Sequence, residues 1–439
     1  MSKVVLINPA ISAKGFDCFN KDNYIQHGIA YIAAYLNKYK IDTDYIDLRM
    51  CKDWNDLFNR IIESNGDVFG ISSMTVDFDI AIKVARYIKK KLPKSKVIIG
   101  GIHVTLVPED GLKNKSFDYV VTGEGEKAML KLVNDIENKV TSKRLIRGEP
   151  VDLEEIPHIN RDMFYHREGE MKTPLVPDLK TPFATIMTSR GCPYNCAFCQ
   201  PAERMVFQGR VRLRKISDVV DEIAEIKKKY GLKSYLIHDD LFLMQKERLE
   251  EFVKLMKKKK LKINFICQGR ADLIIKLEKE IKKLKQVGLW GIMIGFESGS
   301  QRVLDFINKN TKVEDNLKSA KICHKLGIKI WANYMMGIPT ESYREMWQTM
   351  RMIKKIDPEY HSPSFFTPYP QTRLFDYCKE HKLFLFKRYS EYRRGLEGTK
   401  IKGFNYNLMR AILFTILPWS MKKDALNFIL KKLHIKHEV

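Results

Sequence analysis

Three of the chain's eight cysteines fall within eight residues. They are Cys192, Cys196 and Cys199, in Arg190-Gly191-Cys192-Pro193-Tyr194-Asn195-Cys196-Ala197-Phe198-Cys199. The spacing is C-x3-C-x2-C. Three thiolates on one loop can each take an iron of a 4Fe–4S cubane, which leaves the fourth iron open to a substrate. Zinc is the competing reading. A structural zinc takes four closed ligands, usually in paired Cys-x2-Cys groups, and no second pair is present. The other cysteines, at 18, 51, 267, 323 and 378, are scattered. That is not the framework of a small disulfide-stapled domain, so the cluster points to a reducing, cytoplasmic compartment.

A second set of candidates stands where apolar runs end. These are Asn8-Pro9, Ser72-Ser73, Gly100-Gly101-Ile102-His103 and Thr122-Gly123-Glu124-Gly125-Glu126. Any one of them reads as ordinary turn chemistry. Four together favour a ligand site, provided the runs before them are strands.

The runs have that character. Residues 4–8, 43–48, 67–72, 96–101 and 119–124 are short and near-continuously apolar, and helical patterns such as 29–40 and 76–92 lie between them. Alternation of this kind predicts a parallel sheet covered on both faces, a doubly wound Rossmann-like α/β domain over 1–145 with its ligand at the strand carboxyl ends. Prolines and lost periodicity mark 146–180 as a linker. A second alternation occupies 181–380, with strands expected at 183–189, 234–238, 264–268, 291–296, 329–335 and 361–367. Its helices are expected at 217–230, 246–258, 273–287, 311–326 and 342–356. Six strand–helix units suggest an open barrel or a second doubly wound sheet, again with chemistry at the strand ends.

Composition narrows the class. With 44% hydrophobic residues the chain can bury real cores, and no apolar run reaches the ~18 residues of a spanning helix. The opening Met-Ser-Lys-Val-Val-Leu-Ile-Asn has no secretory layout. The net charge of +24 suits an anionic partner, or reflects solvated lysine-rich helix faces such as Lys89-Lys90-Lys91. The extension 381–439 is basic and partly apolar. Its run Leu408 to Leu417, with Trp419 and flanking lysines, fits either an interfacial membrane helix or a helix packed on the barrel.

The cysteine loop, with aromatic Phe198 before its last thiol, resembles that of the radical S-adenosylmethionine superfamily. The resemblance implies a partial (β/α)6 barrel of TIM type. Its free iron would chelate S-adenosylmethionine, whose reductive cleavage gives a 5′-deoxyadenosyl radical. A reducing partner such as flavodoxin or ferredoxin would supply the electron. Ile292 to Ser300 looks like the family's fourth-strand motif, implying cofactor contacts at Glu297 and Ser298. Gly337-Ile338-Pro339-Thr340-Glu341 resembles its fifth-strand segment against adenine, with Thr340 where glycine is usual. Gln268 and Arg270, ending the third strand, complete the implied set.

The first-domain motifs look like those of the cobalamin-binding class of this superfamily. They imply cobalamin contacts at Asn8, Ser72, Ser73, Gly100, Gly101, His103, Thr122, Gly123, Glu124 and Gly125. No Asp-x-His-x-x-Gly occurs, so the resemblance implies cobalt without a protein histidine below it. It also implies methyl transfer to an unactivated carbon of a small molecule. The charge and the terminal run extend this to an apolar or lipid-like substrate and peripheral membrane contact. Oxidative cyclisation or coupling is the alternative. An RNA-modifying methylthiotransferase-like enzyme would want a second trio of cysteines in the first domain, where only Cys18 and Cys51 occur, so nucleic acid is disfavoured. A non-catalytic regulator would not need the intact cysteine trio.

Overall fold

A computed structural model describes residues 2–10, 25–164, 176, 178–199, 206, 210–396 and 398–417. Its first sheet comprises β1 (Val4–Asn8), β2 (Thr43–Asp47), β3 (Val68–Ser72), β4 (Lys96–Gly100), β5 (Tyr119–Gly123) and β6 (Leu145–Gly148). All pairs are parallel, in the order β2-β1-β3-β4-β5-β6. β1 shows why the run is continuously apolar. Val4 and Leu6 pack with helix α1 (His27–Lys38) on one face, while Val5 and Ile7 pack with the helices Trp54–Glu63 and Phe78–Lys91 on the other. The order reverses between β1 and β3, which opens a crevice at the strand carboxyl ends. β6 was not expected. It is a half-exposed edge strand of four residues, too polar to show as an apolar run.

After this sheet come β7 (Phe183–Ile186), β8 (Ser189–Arg190), β9 (Arg212–Leu213), β10 (Ser234–Ile237), β11 (Asn264–Gly269), β12 (Leu289–Glu297), β13 (Lys329–Met336) and β14 (Tyr360–Phe365). β8 and β9 form a small antiparallel ribbon. The other six form a parallel sheet in plain chain order, β7-β10-β11-β12-β13-β14. No reversal occurs, so of the two expected architectures the open barrel is the one present. Its outward residues, among them Ile186, Tyr235, Phe265, Ile294 and Tyr334, pack under the helices. On the inner face Phe183, Leu236, Ile266, Met293, Trp331 and Tyr360 meet Val176 and Leu179 in an apolar floor. The helix expected at 273–287 is two, Ala271–Lys276 and Glu278–Gln286.

The terminal run departs from the interfacial expectation. The helix Tyr406–Phe414 buries Met409, Ile412 and Leu413, with Leu417 beyond it, in the barrel's outer core. Spacing of three, four and eight residues puts them on one helical stripe, and the barrel covers that stripe. That stripe is therefore not available to a membrane, whereas Leu408, off the stripe, is exposed. Trp419 and the lysines after it lie outside the described residues. Among the described residues no helix is long and apolar enough to cross a membrane.

Candidate active site between the two sheets

The cysteine loop leaves β8 at the carboxyl end of the barrel. Asp239, just past β10, pins its start by accepting the N–H of Thr188 (2.6 Å) and Ser189 (3.2 Å) and the Ser189 hydroxyl (2.7 Å). Burial pushes this carboxyl up, against the pull of those hydrogen bonds. Farther on, Ala197 donates its N–H to Ile307 O (2.8 Å) and accepts from Leu374 N–H (3.1 Å). The Phe198 ring packs in the adjoining apolar cluster.

Cys192, Cys196 and Cys199 are free thiols, none fully buried. Burial, opposed by a hydrogen bond from the Tyr194 backbone and aided by Asp240, pushes the Cys192 thiol up. Among the described residues no three His, Cys, Asp or Glu side chains converge on a single ion. Three thiols along one loop suit a cubane, where each sulfur takes its own iron.

The side chains expected to meet S-adenosylmethionine surround this loop unevenly. Arg270 lies with its guanidinium 3.5 Å from the Tyr194 ring centroid, donates to Lys309 O (2.8 Å) and reaches within 4.0 Å of Cys196 Sγ. Gln268 shares the inner strand face with Ile266, by alternation with outward Phe265 and Cys267. Glu297 takes a left-handed backbone (φ 59°) where the β12–β13 register shifts, and pairs with buried Lys309 at 2.9 Å. Ser298 is fully buried, with its hydroxyl 3.2 Å from that of Thr349. It shapes the turn and presents no surface to a ligand. Gly337 (φ 77°) and Ile338 both donate their N–H groups to Glu341, at 2.8 and 3.2 Å. Burial pushes that carboxyl up to about 8.

Facing the loop across the domain junction is a cavity of about 300 Å³. Of the expected cobalamin residues, Ser72, Gly100, Gly101, Gly123, Glu124 and Gly125 line it, and Asn8, Ser73, His103 and Thr122 do not. Asn8 is turned to Asp47, to which its amide donates at 3.2 Å. His103 is buried between the rings of Phe78 and Tyr389, and its Nδ1 lies 3.3 Å from the Thr75 hydroxyl. Burial drives its pKa down to about 4 despite Asp110 nearby, so the ring is neutral and faces away from the cavity.

Sequence reading missed Gly28, Tyr31 and Gly70 on the first-domain side and Arg190 on the barrel side, all in the same lining; Asp240, expected with Asp239 as a functional residue at the end of the second barrel strand, lines it too. A glycine inside an otherwise good helix was the available signal at Gly28. There a Cβ would meet no atom within 4 Å, so the helix leaves open space at the wall. The glycine edge and the apolar wall of Leu6, Ile71, Ile98, Val121 and Met129, at a topological switch point, suit one face of a large flat ring such as a corrin. Glu124 is committed otherwise. Burial would raise its pKa, but the guanidiniums of Arg190 and Arg212 overcome that and hold it low.

Comparison with known proteins agrees with this geometry. Residues 186–353 match the Radical SAM superfamily model and residues 21–133 the B12 binding domain model. An uncharacterized methyltransferase of Pyrococcus horikoshii is 28% identical over 435 residues, covering 92% of this chain and 91% of its own. The anaerobic magnesium-protoporphyrin IX monomethyl ester cyclase of Rubrivivax gelatinosus is 25% identical over 412 residues, covering 88% and 72%. The solved structure of the cobalamin-dependent S-adenosylmethionine radical enzyme OxsB with aqua-cobalamin shares the fold at a TM-score of 0.71 and 17% identity. The match covers 90% of this chain and 64% of that one. With the two domain matches in this order and the two sites facing one junction, the chain belongs to the cobalamin-binding radical S-adenosylmethionine enzymes, whose cofactors are a 4Fe–4S cluster, S-adenosylmethionine and cobalamin.

Proposed function

We propose that the chain is a cobalamin-dependent methyltransferase that alkylates an unactivated carbon of an apolar small molecule. One observation carries this reading: Arg190, Gly191 and Asp240, beside the first cluster cysteine, line the same cavity as the first-domain glycines. Two cofactor sites that share a wall can act on one substrate. Bound at Cys192, Cys196 and Cys199, a cluster would supply the electron for cleavage of S-adenosylmethionine, and cobalamin in the glycine-edged cleft would supply the methyl group.

The chain's own residues position and shield. Cys192, Cys196 and Cys199 hold three irons. Asp239 fixes the loop's departure, and Arg270 braces it through Tyr194 and Cys196. Glu341 holds the Gly337–Ile338 turn against which the adenine would lie. The barrel's inner face is apolar where Ile266 and Met293 join the floor of Trp331 and Tyr360. These side chains support an apolar substrate now that the terminal helix does not. Reduction of the cluster would fall to a flavodoxin or ferredoxin.

The test is anaerobic reconstitution with iron, sulfide and hydroxocobalamin, followed by incubation with methyl-labelled S-adenosylmethionine, a low-potential reductant and fractionated cell extracts. We expect 5′-deoxyadenosine and label carried into an apolar product. Deoxyadenosine with an unlabelled product that has lost two hydrogens would favour oxidative ring closure instead, the reading that the cyclase relative supports. No deoxyadenosine under any condition would refute both.

A further inference from the structure

The carboxylates of Thr122-Gly123-Glu124-Gly125-Glu126 stand at the cavity's edge, yet both are engaged by the other half of the molecule. Glu124 accepts from Arg190 at 2.9 Å and from Arg212, and Glu126 accepts from Arg190 at 2.6 Å. The other oxygen of Glu124 takes the N–H of Val151 at 2.8 Å. Glu124 and Glu126 are 6% and 2% exposed, so water does not screen the bridge. Arg190 is separated from Cys192 only by Gly191, whose φ of 99° makes the chain turn sharply into the cluster loop. Behind it, Asp239 fixes Thr188 and Ser189. The segment that presents the first thiol is therefore anchored by its side chain in the cobalamin-binding domain. Gly123 and Gly125, on either side of Glu124, face the cavity.

We propose that the Glu124–Arg190–Glu126 bridge couples the two cofactor sites: a ligand that orders the glycine-edged wall holds both carboxylates, and through Arg190 it holds the cluster loop in its S-adenosylmethionine-binding shape. The three are positioning residues. Partial opening is disfavoured, because a lone buried charge is costly to leave unpaired. Coupling of this kind is reciprocal, so each ligand tightens the other by the same factor. A bridge that merely glued the domains together would affect stability without linking the two affinities.

The inference rests on the cofactor reading above and needs no turnover. The test uses the full chain with its cluster reconstituted. S-adenosylmethionine affinity is read by equilibrium dialysis of the labelled compound against the protein with its cluster oxidised, with and without hydroxocobalamin. Hydroxocobalamin affinity is read from its visible spectrum, with and without S-adenosylmethionine. We expect each to tighten the other ~5- to 10-fold. Glu126→Gln should bring that factor near one, with both single affinities still measurable. Arg190→Lys, which keeps the charge but loses the two-pronged fork, should fall between. Equal affinities with and without the second ligand in the wild type overturn the proposal, as does full coupling in Glu126→Gln. If Glu126→Gln does not fold, full coupling in Arg190→Lys overturns it equally. Failure to bind hydroxocobalamin at all overturns both this proposal and the cofactor reading, whereas binding without coupling overturns this one alone.

Discussion

Gly28 and Gly101 line one cavity for opposite reasons. At Gly28 a side chain has free space and enters the cavity; at Gly101 it has none. Gly28→Leu should fold normally, since leucine is the better helix former, and should weaken hydroxocobalamin binding by at least about tenfold, roughly 1.4 kcal/mol. Spectroscopic titration checks this, and unchanged affinity would mean that α1 does not wall the cobalamin site. At Gly101 the φ of 96° is joined by a Cβ position 2.7 Å from both the N and O of Ser73. Gly101→Ala should cost about 1–3 kcal/mol of stability, seen as a lower melting temperature. The cysteines behave differently again. Ala at Cys192, Cys196 or Cys199 should leave the fold intact and remove the visible iron–sulfur absorption or the reductive cleavage of S-adenosylmethionine. Full cleavage activity in the triple variant would show that the loop does not hold the cluster.

At the scale of the element, the helix Tyr406–Phe414 shows how little composition says about orientation. Ile412 is 2% exposed in the barrel core and Leu408 is 45% exposed. Ile412→Asp puts an unpaired carboxylate into apolar surroundings and should cost about 3 kcal/mol or more. Leu408→Asp should stay within about 0.5 kcal/mol of wild type. Thermal melts of the two variants read the difference, and equal melting temperatures would mean that the helix is not docked. Ladder order made a comparable difference in the barrel. Six parallel strands were expected, but only their arrangement in chain order separated an open barrel from a second doubly wound sheet.

At the scale of the molecule, the connecting segment adds a pH-dependent tie. His158 lies 2.9 Å from Asp218 and 2.8 Å from Glu225, both on the first barrel helix, Ile216–Tyr230. The Asp218 hydrogen bond, opposed by burial and aided by Glu225, raises its pKa from 6.5 to about 9. A pKa raised by folding contributes stability that is complete below pH 6.5 and disappears as pH rises through about 9. Wild type should therefore melt above His158→Gln at pH 6, and the gap should close above pH 9. A gap independent of pH would place the histidine's contribution in packing.

The cysteine loop was legible from residue order alone, because its chemistry depends on types and short spacings that a linear chain carries. The strands were legible for the same local reason. Residues buried on both faces are apolar throughout, as Val4 to Ile7 show. The edge strand β6 and the inward stripe of the terminal helix were not, since each depends on what lies alongside in space. The site divides in the same way. Ser72, Gly100 and Gly123 could be placed at strand ends from the pattern. That His103 turns into a nest of rings, that Ser298 is sealed beneath its turn, and that Glu124 and Glu126 reach past the cavity to Arg190 are outcomes of packing between segments more than 20 residues apart. The amino-acid sequence determines which groups can do chemistry. Burial and long-range pairing decide which of them face the ligand and which hold the site together, because desolvation and ion pairing depend on distances that only the folded chain defines.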